Sequence, residues 1–360
     1  METSIENPLL TKTEVPLAKY TSIRLGGNAK YLVSCRTIDE IRAALELSRR
    51  ENLRVQILGG GSNTVFPDEG FDGLVIKIDL KGIDIEEAKG RTIIHAAAGE
   101  DWDDLVKFCV ARELAGVECL SGIPGLVGAT PIQNVGAYGQ EVKDTILHLK
   151  AIDRASLELK EFNADECSFG YRKSMFKSND QYVIVDVAYR LVKSGKPVIR
   201  YAELQEYIKS NKRSQETETR CSKLETVRNA VLALRRKKSM LIDDNDPNSR
   251  SVGSFFVNPI LSEGEFEEFR KRVMLIGNAR APSYKGAEGI KIPAAWLIEN
   301  SGFRKGYRTG GVGISSNHSL ALVNYSGTTK ELLALASDIE REVWEKFGVK
   351  LEREAVIVQH

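Results

Sequence analysis

The stretch from residue 121 to residue 140 is the part of this sequence that most restricts what the chain can fold into. It contains five glycines, two prolines and almost no charge, and it has neither the period of a helix nor the alternation of a strand. A long loop without structure of its own is uncommon unless it is functional, and glycine lets the main chain approach another group closely. We therefore predict main chain wrapped around a bound group, with N–H groups offered to phosphates. Buried tight turns between short strands are the alternative.

A second glycine-rich turn, Gly59-Gly60-Gly61-Ser62-Asn63, directly follows a predicted strand at 54–58. Such a turn offers several N–H groups and two polar side chains, which suits a diphosphate. It is not the dinucleotide-binding fingerprint, because extended chain ending in Pro67 follows it instead of a helix. A sharp hairpin explains this turn equally well by itself, but two such turns in one chain favour nucleotide binding.

The composition is that of an ordinary globular protein and argues against several functions. A length of 360 residues allows two or three domains, and a net charge of +1 gives no excess that would indicate nucleic acid or a membrane surface as a partner. The five cysteines have no C-x-x-C pair, which is typical of core residues in a reducing compartment, and none of the four histidines is spaced as a metal pair. The histidine spacing leads us to expect no metal site. No signal peptide or membrane span is visible, so we expect a cytoplasmic protein.

The order of predicted elements indicates an α+β fold of small lobes, because strands and helices do not alternate regularly. Residues 1–17 are predicted to form a loosely ordered extension, and the polar run at 243–251 a loop at a domain boundary. Capping boxes at Thr37 and Thr328 predict the starts of two helices. Other predicted strands lie at 31–35, 54–58, 74–78, 92–97, 182–191 and 351–358, and other predicted helices at 102–109, 224–234 and 294–300.

The predicted helix at 224–234 is followed by four basic residues, Arg235-Arg236-Lys237-Lys238. Basic residues at a helix C-terminus complement the helix dipole, which is the simpler explanation. A phosphate contact for an anionic substrate is the alternative.

Three polar residues stand among apolar or aromatic neighbours and are candidates for chemistry. Arg172 lies between aromatic residues, where a guanidinium could hold a carboxylate through two hydrogen bonds or simply stack at the surface. Ser254 lacks the surroundings of a hydrolase nucleophile; its hydroxyl could protonate a strongly basic carbon or could bond its own backbone. Glu354 lies in an apolar strand, where burial would raise its pKa, although an edge-strand charge is the alternative.

Taken together, these motifs resemble the UDP-N-acetylenolpyruvoylglucosamine reductase family, from about residue 21 to residue 358. The motifs that carry the resemblance are Leu-Gly-Gly-Gly-Ser-Asn at 58–63, Ala-Gly-Glu-Asp-Trp at 98–102, Ile-Pro-Gly at 123–125, Gln-Asn-Val-Gly-Ala-Tyr-Gly at 133–139, Phe-Gly-Tyr-Arg-Lys-Ser at 169–174, Gly-Ser-Phe-Phe-Val-Asn-Pro at 253–259 and Leu-Glu-Arg-Glu at 351–354.

The resemblance implies non-covalent FAD in the two-lobed fold of the vanillyl-alcohol-oxidase (PCMH) type, with a C-terminal α+β substrate domain. The implied divisions are an FAD-binding domain at 18–195 with lobes at about 18–80 and 81–195, a helical connection with a polar insertion at 196–240, a substrate-binding domain at 241–349 and a C-terminal strand at 350–360. The polar insertion is expected at about 206–220.

The activity that the resemblance implies is the NADPH-dependent reduction of UDP-N-acetylglucosamine enolpyruvate to UDP-N-acetylmuramate, by a ping-pong cycle in peptidoglycan precursor synthesis. Hydride would pass from flavin N5 to the vinyl carbon, and Ser254 would protonate C2. Arg172 and a protonated Glu354 would stabilise the charge on the substrate carboxylate. The implied protein is a cytoplasmic bacterial monomer with small-molecule substrates.

The resemblance also implies the remaining site residues. Expected substrate contacts are Tyr201, Lys238, Asn258, Tyr284 of the longer, type I branch, and His318, which stands where some members have glutamine. Expected FAD contacts are Gly59, Gly60, Gly61, Ser62, Asn63, Ile123, Pro124, Gly125, Thr130, Pro131, Gln133, Asn134, Gly136, Ala137 and Tyr138.

Two rival functions have discriminating features. A flavin oxidase of the same superfold often attaches FAD covalently through His or Cys in the first lobe, and residues 55–70 contain neither. A non-catalytic nucleotide-binding protein should lack one of Arg172, Ser254 and Glu354, and all three are present.

Overall fold

The computed structural model describes residues 11–88, 91–177, 179–211, 222–277, 281–286 and 288–359. The chain folds into two compact units. The first unit comprises Met1–Val15, Ala29–Gly60 and Asp72–Lys237, and the second comprises Pro16–Asn28, Gly61–Phe71 and Lys238–His360. Two short segments from the N-terminal part of the sequence therefore fold with the C-terminal part. The part of the predicted insertion at 212–220 lies outside the described residues.

The secondary structure mixes helices and strands throughout, as expected for an α+β protein. The helices are α1 (Ile38–Arg50), α2 (Trp102–Ala111), α3 (Ala202–Ser210), α4 (Lys223–Lys237), α5 (Glu263–Leu275), α6 (Ala294–Asn300) and α7 (Thr329–Phe347). The strands are β1 (Thr11–Pro16), β2 (Asn28–Cys35), β3 (Arg54–Leu58), β4 (Thr64–Val65), β5 (Phe71–Ile78), β6 (Ile83–Ala88), β7 (Arg91–Ala97), β8 (Leu114–Ala115), β9 (Gly136–Ala137), β10 (Gln140–Glu141), β11 (Ile146–Asp153), β12 (Leu159–Asn163), β13 (Tyr182–Lys193), β14 (Ile260–Leu261), β15 (Tyr284–Gly286), β16 (Gly289–Lys291), β17 (Arg308–Thr309), β18 (Val312–Ile314), β19 (Leu322–Asn324) and β20 (Val356–Ile357).

The described part of the first unit contains two larger sheets and the two-stranded β9–β10 sheet. A four-stranded sheet has the order β1-β2-β5-β3, and β3 runs parallel to β5. A larger sheet has the order β12-β11-β13-β7-β6, with β8 paired to β13. Helix α2 packs its apolar face into the core of the larger sheet, and its first turn is capped by Asp101, whose side chain accepts from the Asp104 amide. The predicted helix at 102–109 is confirmed.

The N-terminal segment differs from its prediction. Residues 11–16 form β1, which pairs with β2, and Leu17 is fully buried. The expectation of a loosely ordered extension is therefore wrong for 11–17, because the strand gains hydrogen bonds from a neighbour that local composition does not indicate. The preceding part of the predicted extension lies outside the described residues.

The second unit has a core of its own, formed around α7. A capping box at Thr328 and Glu331 opens this helix, Gly348 ends it with a positive φ of 65°, and its apolar stripe is buried. The predicted C-terminal strand at 351–358 is shorter than expected: β20 covers Val356–Ile357 and runs parallel to β4. None of the described helices is long and apolar enough to cross a membrane.

Candidate active site

In the first unit, the start of the second glycine-rich turn meets the 121–140 stretch. A Cβ added to Gly60 would lie 3.0 Å from the α-carbon of Gly125, and one added to Gly59 would touch Leu126. The two main chains therefore approach each other without intervening side chains, which is the arrangement that glycine permits. A diphosphate could approach the backbone at such a junction, because glycine has no side chain to cover its N–H group.

The stretch at 121–140 is stabilised by short local structure and by the sheet behind it. It contains a 3-10 turn at Val127–Ala129 and strand β9, which pairs with β10. The hydroxyl oxygens of Thr130 and Tyr189 lie 2.8 Å apart in the core, and Pro131 is buried. The stretch is thus a series of tight turns with fixed contacts, which matches the alternative of buried tight turns between short strands. The remaining predicted contacts at Ile123, Pro124 and Gln133 are partly buried.

A buried ionic cluster holds the start of this stretch to helix α4. Arg228 binds Asp103 with both terminal nitrogens, at 2.6 and 2.7 Å, and the Gly122 amide donates to the same carboxylate at 2.5 Å. Arg235 Nε donates to the Gly122 carbonyl oxygen at 3.0 Å. Burial alone would raise the pKa of Asp103, but the bonds from Arg228 and Gly122 outweigh it and hold that pKa below its usual value. The peptide groups before and after Gly122 are therefore both held by side chains.

Replacing Arg228 with methionine should lower the free energy of unfolding by about 3 kcal/mol, because the substitution leaves a partly buried carboxylate without its cation. Urea unfolding at neutral pH measures this loss. Arg236→Met, an exposed position on the same helix, is the matched control and should change stability by less than about 0.5 kcal/mol. Equal losses for the two variants would contradict the prediction.

The effect of Arg228→Met should also depend on pH. The folded-state pKa of Asp103 is lowered, so its contribution is present above the unfolded pKa, near 4, and is lost as pH falls through the folded value. The stability difference between wild type and Arg228→Met should therefore shrink below about pH 4.

Arg172 is the third residue of a tight turn from Gly170 to Lys173, whose end residues exchange two backbone hydrogen bonds. Its φ is +53°, a left-handed conformation that is unfavourable for arginine. The guanidinium reaches the 121–140 stretch: Nη2 donates to the Gly136 carbonyl oxygen at 2.5 Å and Nη1 to that of Asn134 at 3.4 Å. It also lies 5.2 Å from the Tyr171 ring. The structure thus brings Arg172 to the predicted FAD-binding stretch.

Tyr138 and Tyr201 form an edge-to-face aromatic pair with ring centroids 5.5 Å apart. Burial raises the pKa of Tyr138 to about 12, whereas Tyr201 is 45% exposed at the start of α3. The predicted substrate residue Tyr201 is therefore adjacent to the end of the predicted cofactor stretch. Ala137, which precedes Tyr138 in the sequence, lies in β9.

In the second unit, backbone hydrogen bonds join the segments that carry Ser254 and Glu354. The Glu354 amide donates to the Phe255 carbonyl oxygen at 2.8 Å, and Phe256 forms a bridge with Arg353. Both Ser254 and Glu354 are partly buried. Two residues separated by a hundred positions in the sequence are thereby placed on adjoining segments.

The second glycine-rich turn ends against this pair. Asn63 Nδ2 donates to the Glu354 carbonyl oxygen at 3.1 Å, and the Val356 amide donates to the Asn63 carbonyl oxygen at 2.9 Å. Gly61 has a φ of +64°, and a Cβ there would clash with the Tyr20 carbonyl oxygen. Ser62 lies between them and is partly buried. The turn at 61–63 therefore forms part of the second unit and adjoins the Glu354 segment.

On its other side, the Ser254 segment adjoins the turn that carries His318. The Phe255 amide donates to the Leu320 carbonyl oxygen at 2.8 Å. His318 Nδ1 accepts from the Leu320 amide at 3.2 Å, so a neutral His318 carries its proton on Nε2. Lys238 follows α4 and is partly buried, and the next residue, Ser239, accepts a hydrogen bond from Asn317 at 2.8 Å.

Asn258 and Tyr284 lie further along the same part of the second unit. Asn258 Oδ1 accepts from the Ala294 amide at 2.8 Å, which satisfies a donor in the first turn of α6. Tyr284 begins β15, pairs with Lys291 in the hairpin, and is 59% exposed. The other strand of this hairpin, β16, also pairs with β14, which begins two residues after Asn258.

The sequence analysis missed the residues that support the site. It did not identify Asp103 or Arg228. It named Arg235 in the basic run, but neither alternative for that run describes its bond to the Gly122 carbonyl oxygen. Glu118 was also missed; it is buried and accepts from Gln140 at 3.0 Å. Asp103 stands in the first turn of α2, where acidic residues are common, so its position gave no signal. Within the described ranges, no group of three or more His, Cys, Asp or Glu side chains could hold a metal ion. Burial raises the pKa of four cysteine thiols to about 12: Cys35, Cys109, Cys119 and Cys167.

Comparisons with known proteins identify two domain families in the chain. Residues 29–161 match the FAD binding domain family, and residues 246–358 match the family of the UDP-N-acetylenolpyruvoylglucosamine reductase C-terminal domain. The first match covers the glycine-rich junction, and the second covers Ser254 and Glu354. The chain thus has an FAD-binding domain, and it is a flavoprotein of the oxidoreductase class.

Curated relatives identify the family within this class. UDP-N-acetylenolpyruvoylglucosamine reductase from Thermobifida fusca is 46% identical over 96% of this chain and 97% of its own length. The Streptomyces coelicolor reductase is 42% identical over 98% of this chain and 91% of its own. The solved structure of the Thermus caldophilus reductase covers 98% of this chain and 99% of its own with a TM-score of 0.63 at 22% identity, which supports the fold. The chain belongs to the UDP-N-acetylenolpyruvoylglucosamine reductase family.

Proposed function

We propose that this protein reduces UDP-N-acetylglucosamine enolpyruvate to UDP-N-acetylmuramate with NADPH as the electron donor. This places it in bacterial peptidoglycan precursor synthesis and so in cell wall formation, cell shape and division. The observation that carries the proposal is the pairing of the Ser254 and Glu354 segments, through the Glu354 amide and the Phe255 carbonyl. A serine acid and a carboxyl group together are the functional groups that this reduction needs.

FAD, which the 121–140 stretch together with Gly59 and Gly60 would hold, would supply the hydride transfer between NADPH and the terminal carbon of the enolpyruvyl double bond. The protein must then manage the charge and the proton. As the hydride adds, the electron pair of the double bond moves onto C2 and is delocalised into the substrate carboxylate. Ser254 donates its hydroxyl proton to C2 and is reprotonated from solvent.

A serine hydroxyl is a weak acid, so its role requires a strongly basic acceptor. An enolate-like C2 is such an acceptor. Arg172 stabilises the growing negative charge at the carboxylate by an orientation that is fixed before the reaction. Glu354 in its protonated form donates a hydrogen bond to the same carboxylate.

The remaining residues have supporting roles in the proposal. Lys238 and His318 bind anionic or polar groups of the two substrates, and the sugar nucleotide contacts Tyr201, Asn258 and Tyr284. NADPH and the enolpyruvyl substrate use the site in turn, as a ping-pong cycle requires. We further propose that the protein acts as a cytoplasmic monomer.

An anaerobic absorbance experiment on the purified protein tests this function. The flavin band should be bleached by NADPH and should return when UDP-N-acetylglucosamine enolpyruvate is added. A reduced flavin that is reoxidised by oxygen alone would indicate a flavin oxidase instead. A colourless protein that FAD does not reconstitute would contradict the proposal and favour a nucleotide-binding protein without this activity.

A further inference from the structure

We propose that Asn134 is a positioning residue, which holds the turn carrying Arg172 in the orientation that the reduction requires. The inference rests on the proposed function, because it takes Arg172 to act on the substrate carboxylate. It goes beyond that function by giving Asn134 a side-chain role other than contact with FAD. Its evidence is the set of hydrogen bonds between two neighbouring segments of the first unit.

The Asn134 side chain is fully buried and makes three hydrogen bonds within the protein. Its Oδ1 accepts from the Lys143 amide at 3.1 Å. Its Nδ2 donates to Glu141 Oε2 at 3.0 Å and to the Gly170 carbonyl oxygen at 2.8 Å. Both the amide nitrogen and the amide oxygen are therefore engaged by protein groups, and one of the bonds joins the 121–140 stretch to the turn that carries Arg172.

The second connection runs in the opposite direction. Arg172 donates from Nη2 to the Gly136 carbonyl oxygen at 2.5 Å and from Nη1 to the Asn134 carbonyl oxygen at 3.4 Å. A planar guanidinium that is bound through two nitrogens to one backbone segment has its plane fixed by that segment. The direction in which Arg172 presents its charge thus depends on where the backbone at 134–136 lies.

Both residues adopt left-handed backbone conformations, with φ of +46° at Asn134 and +53° at Arg172. Asparagine tolerates this conformation, but arginine does not favour it. An unfavourable conformation of this kind persists where surrounding contacts impose it, and such contacts are frequent at functional sites. The bond from Asn134 to the Gly170 carbonyl is one contact that imposes it here.

The substitution Asn134→Asp tests this role with little change in size. The aspartate retains an acceptor for the Lys143 amide. It replaces the Nδ2 donor by an oxygen that faces the Gly170 carbonyl and the Glu141 carboxylate, so two attractive contacts become repulsive. We expect the turn at 170–173 to shift and Arg172 to lose its fixed orientation.

Rapid-mixing measurements of the two half-reactions separate this effect from a general loss of structure. For Asn134→Asp we expect the reoxidation of reduced flavin by the enolpyruvyl substrate to slow by about 30-fold, because small misplacements of a catalytic group cost one to two orders of magnitude. The rate of flavin reduction by NADPH should change by less than about threefold, because the substrate carboxylate takes no part in that step. Slowing of both half-reactions to the same extent would overturn the inference.

A double-mutant cycle shows whether Asn134 acts through Arg172. In an Arg172→Ala background, Asn134→Asp should cause no further loss in the reoxidation rate. An equal fold loss in both backgrounds would overturn the inference. Asn52→Asp is the matched control, since Asn52 is exposed with a φ of +50°, and it should leave both half-reactions unchanged.

Hydrogen–deuterium exchange of the protein without substrates gives a readout that does not depend on activity. Amides at 167–177 should exchange faster in Asn134→Asp than in wild type, and Asn52→Asp should have no effect there. Unchanged exchange would overturn the inference even if the rates fell.

If Asn134→Asp does not fold, Asn134→Ser provides the same tests, because serine is too short to reach the Gly170 carbonyl. Wild-type protein whose reduced flavin the substrate does not reoxidise would refute the proposed function, and the exchange result would still decide whether Asn134 holds the turn.

Discussion

Ser254→Ala should slow reoxidation of the reduced flavin by the enolpyruvyl substrate about 10³-fold, while flavin reduction by NADPH stays within about twofold of wild type. The hydroxyl is the proposed proton source for C2, and alanine removes it without adding bulk. Hydride addition without protonation leaves a high-energy carbanion, so the loss should appear in the reoxidation step. Anaerobic stopped-flow absorbance measures the two steps separately.

Ser316→Ala is the matched control for this substitution. Ser316 is exposed in the second unit, in the turn that precedes His318, and its loss should leave both rates unchanged. Ser254→Cys should retain part of the activity, because a thiol is a stronger acid than a hydroxyl. If Ser254→Ala reoxidised its flavin as fast as wild type, another group would have to supply the proton.

Gly61→Ala should lower the free energy of unfolding by about 4 kcal/mol, a large effect for a single methyl group. A Cβ at this position would clash with the Tyr20 carbonyl oxygen, which belongs to the backbone and cannot rotate away. The φ of +64° adds a further cost of about 1 kcal/mol for any residue with a Cβ. Thermal or urea unfolding of the protein measures the loss.

Gly264→Ala provides the comparison for this effect. Gly264 lies in α5, and a Cβ there meets no atom within 4 Å. Alanine should stabilise the protein there by about 0.5–1 kcal/mol, because glycine is a poor helix former. Similar losses at both positions would show that the close contact with Tyr20 does not control the effect.

Several local elements could be predicted because their signals lie within a few residues. Asp101 caps α2 and Thr328 opens α7 through contacts three residues away, and the buried stripe of each helix follows its period. The glycine-rich segments were identified in the same way, by composition. Strand β1 was missed because its residues alternate weakly and Val15 is its one buried residue.

Assignments of side-chain partners were harder for the same physical reason. Arg228 and Asp103 are separated by 125 positions, and no local pattern connects them. Arg235 stands in a basic run that is typical of a solvent-exposed helix end, yet it is buried against the Gly122 carbonyl while Arg236 beside it is exposed. Which member of a charged run turns inward depends on the packing of α4, and so on the tertiary fold.

From the amino-acid sequence alone we could find the glycine-rich segments predicted to bind phosphate and the candidate residues Arg172, Ser254 and Glu354. The tertiary structure decided how these residues are held. It joined 16–28 and 61–71 to the C-terminal unit, paired the Ser254 and Glu354 segments, and bound Arg172 to the backbone at 134–136. Residue types and short spacings carry information about function within a few positions, whereas hydrogen bonds between distant segments exist only once the chain has folded.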